Sequence, residues 1–166
     1  MRVRWLIAAL LLTLPVLFGA SDGAAQPNQP PDVVVVLLDD MRESDWQALP
    51  LTQERLSGST WFPNFVLTTP SCCPSRSSLF TGQYAHNHGV LRNEGKNGGW
   101  DEYRARGHEQ DSVVTWLNGA DYRTALVGKY LNGYRASDRV PPGWDRWYAF
   151  DTVKESYLDY AMNENG

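Results

Sequence analysis

The chain has 166 residues, a formal net charge of −4 and 20% charged residues. This mildly acidic composition excludes sequence-independent binding of polyanions through bulk positive charge, so we expect no nucleic-acid partner. Any anionic substrate must therefore be held by a local cluster of positive side chains.

Residues 1–25 have the layout of a secretory signal peptide. Arg2 and Arg4 form a short basic leader, residues 5–18 are an apolar run, and small residues ending at Ala25 provide a cleavage site. A membrane anchor is the alternative, but the run is short of the roughly 20 residues that span a bilayer. The pattern predicts a secreted or periplasmic protein without a stable membrane anchor.

The first predicted elements of the fold follow a proline-rich linker over residues 26–31. Residues 32–38, DVVVVLL, are apolar and β-branched without alternation. Such a run is typical of a strand that is buried on both faces of a parallel sheet. After Asp39, residues 51–56 predict a short helix and residues 61–67 an extended segment.

The remaining elements complete an α/β pattern. Residues 74–80 predict a helix, which Gly82 can terminate. In chain order, the rest are a surface loop over residues 92–107, a helix capped by Asp111 and ending near Gly119, a buried strand over residues 122–127, a turn over residues 141–144 and an extended piece over residues 147–150. We expect an open α/β sheet, in which ligands gather beyond the carboxyl ends of the strands.

The two cysteines of the chain, Cys72 and Cys73, are neighbours. A disulfide between neighbouring residues closes essentially no loop and is strained, so it would add little to the stability of the fold. Zinc is disfavoured because no second Cys or Cys/His cluster supplies the usual ligands. The pair lies at a predicted helix start, where free N–H groups favour an anion, and Arg76 adds a planar donor fork. The segment indicates an anion site with a reactive cysteine, or alternatively a structural helix start with a surface arginine.

Other polar residues are candidates for the same site. Asp39 and Asp40 would repel each other in one turn, and a calcium or magnesium ion would relieve that repulsion. The alternative is a helix cap or a solvated turn. Lys129 follows the second predicted strand, so parallel strands would bring it to the edge that carries the two aspartates. His86 and His88 could contact a ligand, although such pairs are more often exposed or packed.

These motifs together resemble those of the type I sulfatase family. Residues 72–76, CCPSR, followed by Thr81 and Gly82, resemble its signature, Cys-x-Pro-Ser-Arg with a downstream Thr-Gly. The similarity is greatest to the branch of N-acetylglucosamine-6-sulfatases, which includes the heparan sulfate 6-O-endosulfatases. The segments that carry the resemblance are the aspartate pair 39–40, the double cysteine, residues 84–88, residues 122–132 and residues 142–145.

The resemblance implies an alkaline-phosphatase-like fold, an open and mostly parallel sheet covered by helices. It also implies that a separate maturation enzyme converts Cys72 to formylglycine, the nucleophile, and that Arg76 and Lys129 assist it. Calcium would be held by Asp39, Asp40 and the modified Cys72. Where many sulfatases have a histidine two residues after the lysine, this chain has a leucine. Substrate contacts are therefore assigned to His86, His88 and Asn132.

The implied reaction is hydrolysis of a sulfuric ester on a sulfated carbohydrate, with glucosamine-6-sulfate in a glycosaminoglycan as the expected substrate. Residues 32–166 would be the amino-terminal part of the catalytic domain, and we expect the 166-residue chain alone to be inactive. A phosphonate or phosphate monoester hydrolase of the same superfamily is one alternative. A non-catalytic truncated secreted domain is the other.

Overall fold

The computed structural model describes residues 30–154, 156 and 158–166. The predicted signal peptide and residues 26–29 of the predicted linker lie outside these residues. The chain divides into two units, Met1–Leu37 and Leu38–Gly166. In the described part of the first unit, residues 30–37 form neither helix nor strand and their side chains are exposed. The elements below all belong to the second unit.

The second unit is helical in its first two thirds and carries its strands towards the end of the sequence. A 3-10 helix over Glu43–Ala48 precedes five α-helices and three strands. The helices are α1 (Pro50–Arg55), α2 (Cys72–Thr81), α3 (Ala85–His88), α4 (Gly99–Ala105) and α5 (Val113–Gly119). The strands are β1 (Ala125–Gly128), β2 (Arg146–Phe150) and β3 (Met162–Glu164). Of the described helices, none is long and apolar enough to cross a membrane.

The described strands form one small mixed sheet with β2 at its centre. Strand β1 runs parallel to β2, with Leu126 opposite Trp147, whereas β3 is antiparallel, with Asn163 opposite Ala149. A parallel pair needs a crossover connection of a dozen or more residues, and residues 129–145 supply it. The sequence patterns had indicated both β1 and β2, and the structure confirms these two predictions.

Helix α2 packs one face into an aromatic core. Cys73, Pro74 and Ser77 on that face are buried, and Gly82 ends the helix in the left-handed conformation, at φ 68°. The buried aromatic residues are Trp100, Tyr103, Tyr130, Tyr134 and Trp147. Several of their rings meet edge to face, an arrangement worth about 0.5–1.5 kcal/mol per pair beyond area burial. The core therefore fixes the face of α2 that points away from solvent.

The prediction of a doubly buried strand over residues 32–38 is wrong for the described structure. No strand is assigned there, and Val34 and Val36 are 83% and 78% exposed. An uninterrupted apolar run becomes a buried strand only when neighbouring strands pair with it and helices cover both faces. Residues 61–67 are likewise exposed, and a turn at Pro63 and Asn64 interrupts the predicted extended segment.

Two further predictions need correction. The predicted surface loop over residues 92–107 contains α4, because Trp100 and Tyr103 lie one helical turn apart and both enter the core. The second strand is present but not buried, since Ala125 and Val127 of the edge strand β1 are exposed.

The amino-terminal cap of α5 also differs from the prediction. The N-cap residue is Ser112, and its backbone N–H donates to the hydroxyl oxygen of Thr115. Asp111 instead accepts a hydrogen bond from the indole N–H of Trp116, at 2.8 Å. The helix still ends at Gly119, as expected from the sequence.

Candidate functional site

The first turn of α2 presents its two cysteines to different environments. Cys72 is partly exposed, and its Sγ atom lies 3.9 Å from Oδ1 of Asp40. Cys73 is fully buried, and burial raises the pKa of its thiol to about 11. Successive helix positions are about 100° apart, so neighbouring side chains leave the helix in different directions. Both cysteines are free thiols.

Asp39 and Asp40 form a turn beside Cys72. Asp40 has φ 53°, in the left-handed region, which aspartate tolerates better than most residues other than glycine. One ligand atom from each of Asp39, Asp40 and Cys72 can be chosen so that all three lie within 4.8 Å of one another. The structure therefore brings together the three residues that the sequence assigned to a metal.

Asp39 joins the turn to both positive side chains of the site. The Lys129 ammonium donates to its Oδ2 atom at 2.7 Å, and the Arg76 guanidinium donates to its Oδ1 atom at 3.2 Å. A second nitrogen of Arg76 donates to the backbone carbonyl oxygen of Lys129, at 2.7 Å. The two cations thus share one carboxylate, and Arg76 is also bound to the backbone of Lys129. The predicted meeting of the aspartate turn and Lys129 is confirmed across 90 positions of sequence.

These contacts favour the charged forms of Asp39 and Lys129. Partial burial opposes ionisation of Asp39, but hydrogen bonds from Lys129 and Arg76 outweigh it and lower the pKa of the carboxyl. Burial likewise opposes protonation of Lys129, yet the hydrogen bond to Asp39 raises its pKa. The Arg76 side chain is only 9% exposed, so its charge is poorly screened by water. The site is thus a compact set of alternating charges.

The three residues predicted to contact substrate lie in different environments. His86 is exposed and stacks on Tyr84, with ring centroids 5.8 Å apart. His88 is fully buried; its Nε2 atom lies 3.0 Å from Ser78 Oγ, and its Nδ1 atom accepts the Val90 N–H. Asn132 is also buried, and its backbone carbonyl oxygen accepts the N–H of Trp100, at 2.8 Å. Of the three side chains, only that of His86 is exposed to solvent.

Sequence reasoning missed Asn93, which contacts the start of α2. Its Oδ1 atom accepts the backbone N–H of Cys73 at 2.9 Å. Asn93 was assigned to a surface loop because glycine and charged residues surround it. The available signal was the adjacent glycines Gly98 and Gly99, since two neighbouring glycines indicate a tight backbone approach.

The arrangement has the parts of a site for a negatively charged ligand. Two oxygen-bearing side chains and a sulfur converge next to a lysine and an arginine, all on α2 or on the segments packed beside its first turn. Hard carboxylate oxygens suit calcium or magnesium, and the guanidinium and ammonium groups suit sulfate or phosphate oxygens. A nucleophile at Cys72 would lie next to the two carboxylates, one of which, Asp39, binds both cations.

Comparison with known proteins places these residues in a family. The family model described as Sulfatase matches residues 31–165. The putative extracellular sulfatase Sulf-1 homolog of Caenorhabditis elegans is 42% identical over 139 residues, covering 81% of this chain and 19% of that protein. The human N-acetylglucosamine-6-sulfatase is 34% identical over 159 residues, covering 90% of this chain and 28% of that protein.

A third relative, the extracellular sulfatase SULF-1 homolog of Drosophila melanogaster, is 38% identical over 148 residues, which cover 87% of this chain and 13% of that protein. The aligned segments thus span 13% to 28% of the length of these three relatives. No solved structure matches the chain.

Proposed function

The chain belongs to the sulfatase family, and we propose that the full-length protein hydrolyses sulfuric esters at the Cys72 site. In this proposal Cys72, Arg76 and Lys129 are the catalytic residues. Asp39 and Asp40 hold the metal together with the modified Cys72. The observation that carries the proposal is the convergence of all five residues around the first half of α2.

Cys72 is the residue we propose to be converted to formylglycine by a separate maturation enzyme. The conversion replaces the sulfur by oxygen and removes two hydrogen atoms; it is a net two-electron oxidation of the β-carbon, for which the maturation enzyme would use an external oxidant such as dioxygen, and the sulfur would leave as sulfide. The resulting aldehyde, once hydrated, supplies a hydroxyl nucleophile and a second hydroxyl that assists release of sulfate. The exposure of Cys72 and its position beside Asp40 support this choice over Cys73, whose thiol is buried and faces the core.

Calcium is the ion that fits the proposed donor set. Asp39 and Asp40 offer hard carboxylate oxygens, and conversion of Cys72 would exchange a soft sulfur for a third oxygen. Both oxygens of Asp39 already accept hydrogen bonds, but each carboxylate oxygen has a further lone pair available. A bound calcium ion would supply Lewis-acid polarisation of the ester oxygens.

Arg76 and Lys129 are proposed to stabilise the negative charge that sulfate transfer moves onto oxygen. Their mutual contacts hold them in place before substrate arrives, so no reorganisation is needed when charge develops. Asp39 positions both cations through its two oxygens. Loss of one such preorganised contact typically costs about 3–4 kcal/mol of transition-state stabilisation.

The proposed substrate is a sulfated carbohydrate, with glucosamine-6-sulfate in a glycosaminoglycan as the specific candidate. The support is that relatives of this chain are named N-acetylglucosamine-6-sulfatase and extracellular sulfatase. The exposed ring of His86 is available for such a contact, whereas His88 and Asn132 would act from buried positions. We also propose secretion and a complete alkaline-phosphatase-like sheet in the full-length protein.

The test is mass spectrometry combined with activity on the full-length protein from its native host. Conversion of Cys72 lowers the mass of the tryptic peptide over residues 56–76 by ~18 Da, whereas ordinary sulfur oxidation raises it. We expect this loss in the parent and in Cys73→Ser, but not in Cys72→Ala.

The activity arm compares sulfate release from an aryl sulfate with hydrolysis of the matching aryl phosphonate. We expect the sulfate ester to be the faster substrate. Faster hydrolysis of the phosphonate would instead support a phosphonate hydrolase of the same superfamily. An unmodified Cys72 in active protein would overturn the proposed nucleophile.

A further inference from the structure

We infer that Asn93 is a positioning residue that fixes the first turn of α2 and thereby the placement of Cys72 and Arg76. The inference rests on the proposed function, because its consequence is measured on that reaction. The hydrogen bond that Asn93 makes to α2 does not involve any of the five site residues. It acts through the backbone of Cys73, whose N–H it accepts at 2.9 Å.

The N–H of Cys73 belongs to the first turn of a ten-residue helix, where backbone donors have no partner within the helix. The side chain of the N-cap residue, Ser71, makes no capping hydrogen bond. Asn93 therefore takes the role of a cap from outside, reaching across 20 positions of sequence. An external cap fixes where the helix begins relative to the segment that supplies it.

The segment that carries Asn93 is closed on itself by backbone hydrogen bonds. The N–H of Leu91 donates to the carbonyl oxygen of Asn97 at 2.7 Å, and the N–H of Gly99 donates to that of Arg92 at 3.1 Å. A Cβ atom at Gly98 would lie 2.6 Å from the carbonyl oxygen of Glu94, closer than such contacts occur. The closed backbone gives Asn93 a rigid base.

The same segment is bound to the chain just beyond Lys129. The N–H of Trp100 donates to the carbonyl oxygen of Asn132, at 2.8 Å. Gly99 lies so close that an added Cβ would be 3.1 Å from that oxygen and 3.1 Å from the carbonyl oxygen of Asn93. One closed segment thus contacts the start of α2 on one side and the Lys129 segment on the other.

Loss of the Asn93 contact should change the positions of Cys72 and Arg76 relative to the bound substrate. Cys72 lies directly before the capped residue, and Arg76 lies one helical turn further along. A shift of about 1 Å in a reacting group can lower the rate by about 10²-fold. We therefore expect Asn93→Ala to lower kcat by about 10- to 100-fold, with KM within about threefold of the parent.

The variants separate positioning from general packing. Asn93→Asp keeps a hydrogen-bond acceptor at the same distance from the backbone, and a negative charge at a helix start is favourable, so we expect it to restore kcat to within about threefold of the parent. Asn93→Gln keeps the amide but displaces its oxygen by one methylene, so we expect a loss of about tenfold. The matched control is Asn118→Ala, which removes an exposed asparagine that donates to Asp145; we expect kcat unchanged.

The experiment measures kcat and KM of the full-length protein on an aryl sulfate, per formylglycine-bearing molecule as counted by mass spectrometry. Unimpaired kcat in Asn93→Ala, or an Asp variant as slow as the Ala variant, would overturn the inference. If Asn93→Ala does not fold, the Asp and Gln variants decide, since equal kcat values for these two exclude positioning. A parent that releases no sulfate would instead count against the proposed function, and this inference would fail with it.

Discussion

Helix α2 has two faces that differ in nearly every physical property. The face that carries Cys72 is partly exposed and lies beside Asp40, in the charged cluster with Asp39 and Lys129. The face that carries Cys73 is buried against the aromatic core. The Cys73 N–H donates to Asn93 Oδ1, and Ser78 Oγ on the same helix lies 3.0 Å from His88 Nε2. One step along the helix separates a candidate nucleophile from a core residue.

The difference indicates how the helix combines stability with reactivity. The buried face has few degrees of freedom, because its apolar groups are packed and Cys73 and Ser78 are hydrogen-bonded to Asn93 and His88. The opposite side holds charges that neutralise each other through Asp39, whose side chain is 36% exposed, whereas those of Arg76 and Lys129 are 9% and 17% exposed. Changes on one face should therefore alter activity, and changes on the other should alter stability.

The sharpest test of this comparison uses the two cysteines. We expect Cys72→Ala to lower kcat of the full-length protein by about 10⁴-fold or more, because the proposed nucleophile is lost. Its thermal unfolding midpoint should stay near that of the parent, since Cys72 is not in the core. The measurement pairs sulfate release with a thermal melt of the same preparation.

Cys73→Ser is the matched variant on the opposite face. A buried hydroxyl without a full set of partners should lower the free energy of unfolding by about 1–3 kcal/mol. The kcat of the folded, formylglycine-bearing fraction should remain within about threefold of the parent. A reversed pattern, with Cys73→Ser inactive and Cys72→Ala destabilised, would contradict the division between the two faces.

A smaller loss is expected from Arg76→Lys at the boundary of the two faces. Lysine keeps the charge but cannot bridge Asp39 and the carbonyl oxygen of Lys129 with two nitrogens, as Arg76 does. We expect kcat to fall by about 10²- to 10³-fold, the usual effect of removing a preorganised donor.

The control for this variant is Arg104→Lys on α4. Arg104 pairs with Asp101 in an exposed position, where ion pairs contribute at most about 1 kcal/mol. The Arg104 guanidinium also lies 4.4 Å from the centroid of the Trp100 ring, so we expect a small loss of stability, but kcat should match that of the parent. Equal kcat values for the two lysine variants would show that the bridging geometry of Arg76 is not used in the reaction.

The sequence was sufficient to predict the parts of α2 that depend on local rules. Proline near the helix start and glycine at its end marked the element, and Gly82 adopts the expected left-handed conformation. The approach of Lys129 to Asp39 was predicted from two parallel strands that end at one edge, and the contact is present although only Lys129 follows a strand, β1, in the described structure.

The remaining features depend on contacts that no local pattern encodes. Trp100 and Tyr103 are only two apolar positions in a segment rich in glycine and charge, so their helical spacing was too short a signal. Asn93 and His88 act on α2 from distant positions, and a neutral polar side chain gives no periodic signature. For residues 32–38 the sequence predicted a strand that the described structure does not contain. The apolar run is the same whether or not other strands pair with it, so the pattern alone could not decide.

The last prediction concerns the pH dependence of stability on the buried face. Burial lowers the pKa of His88, and the nearby His108, Arg106 and His86 add to the effect because a further positive charge is unfavourable there. The neutral ring is also required by geometry, since Nδ1 accepts the N–H of Val90. Below the unfolded-state pKa of about 6.5, the unfolded chain binds a proton that the folded chain does not, so stability falls as pH decreases.

This contribution should disappear in His88→Gln and persist in His86→Gln, the matched change at an exposed ring stacked on Tyr84. The measurement is the urea unfolding midpoint of the full-length protein and both variants between pH 7.5 and pH 5. The contribution of one histidine cannot exceed about 1.4 kcal/mol per pH unit, so the decisive quantity is the difference in slope between the parent and each variant. Parallel slopes for the parent and His88→Gln would mean that the buried face of α2 does not depend on a neutral histidine, and its rigidity would then rest on Asn93 and the aromatic core alone.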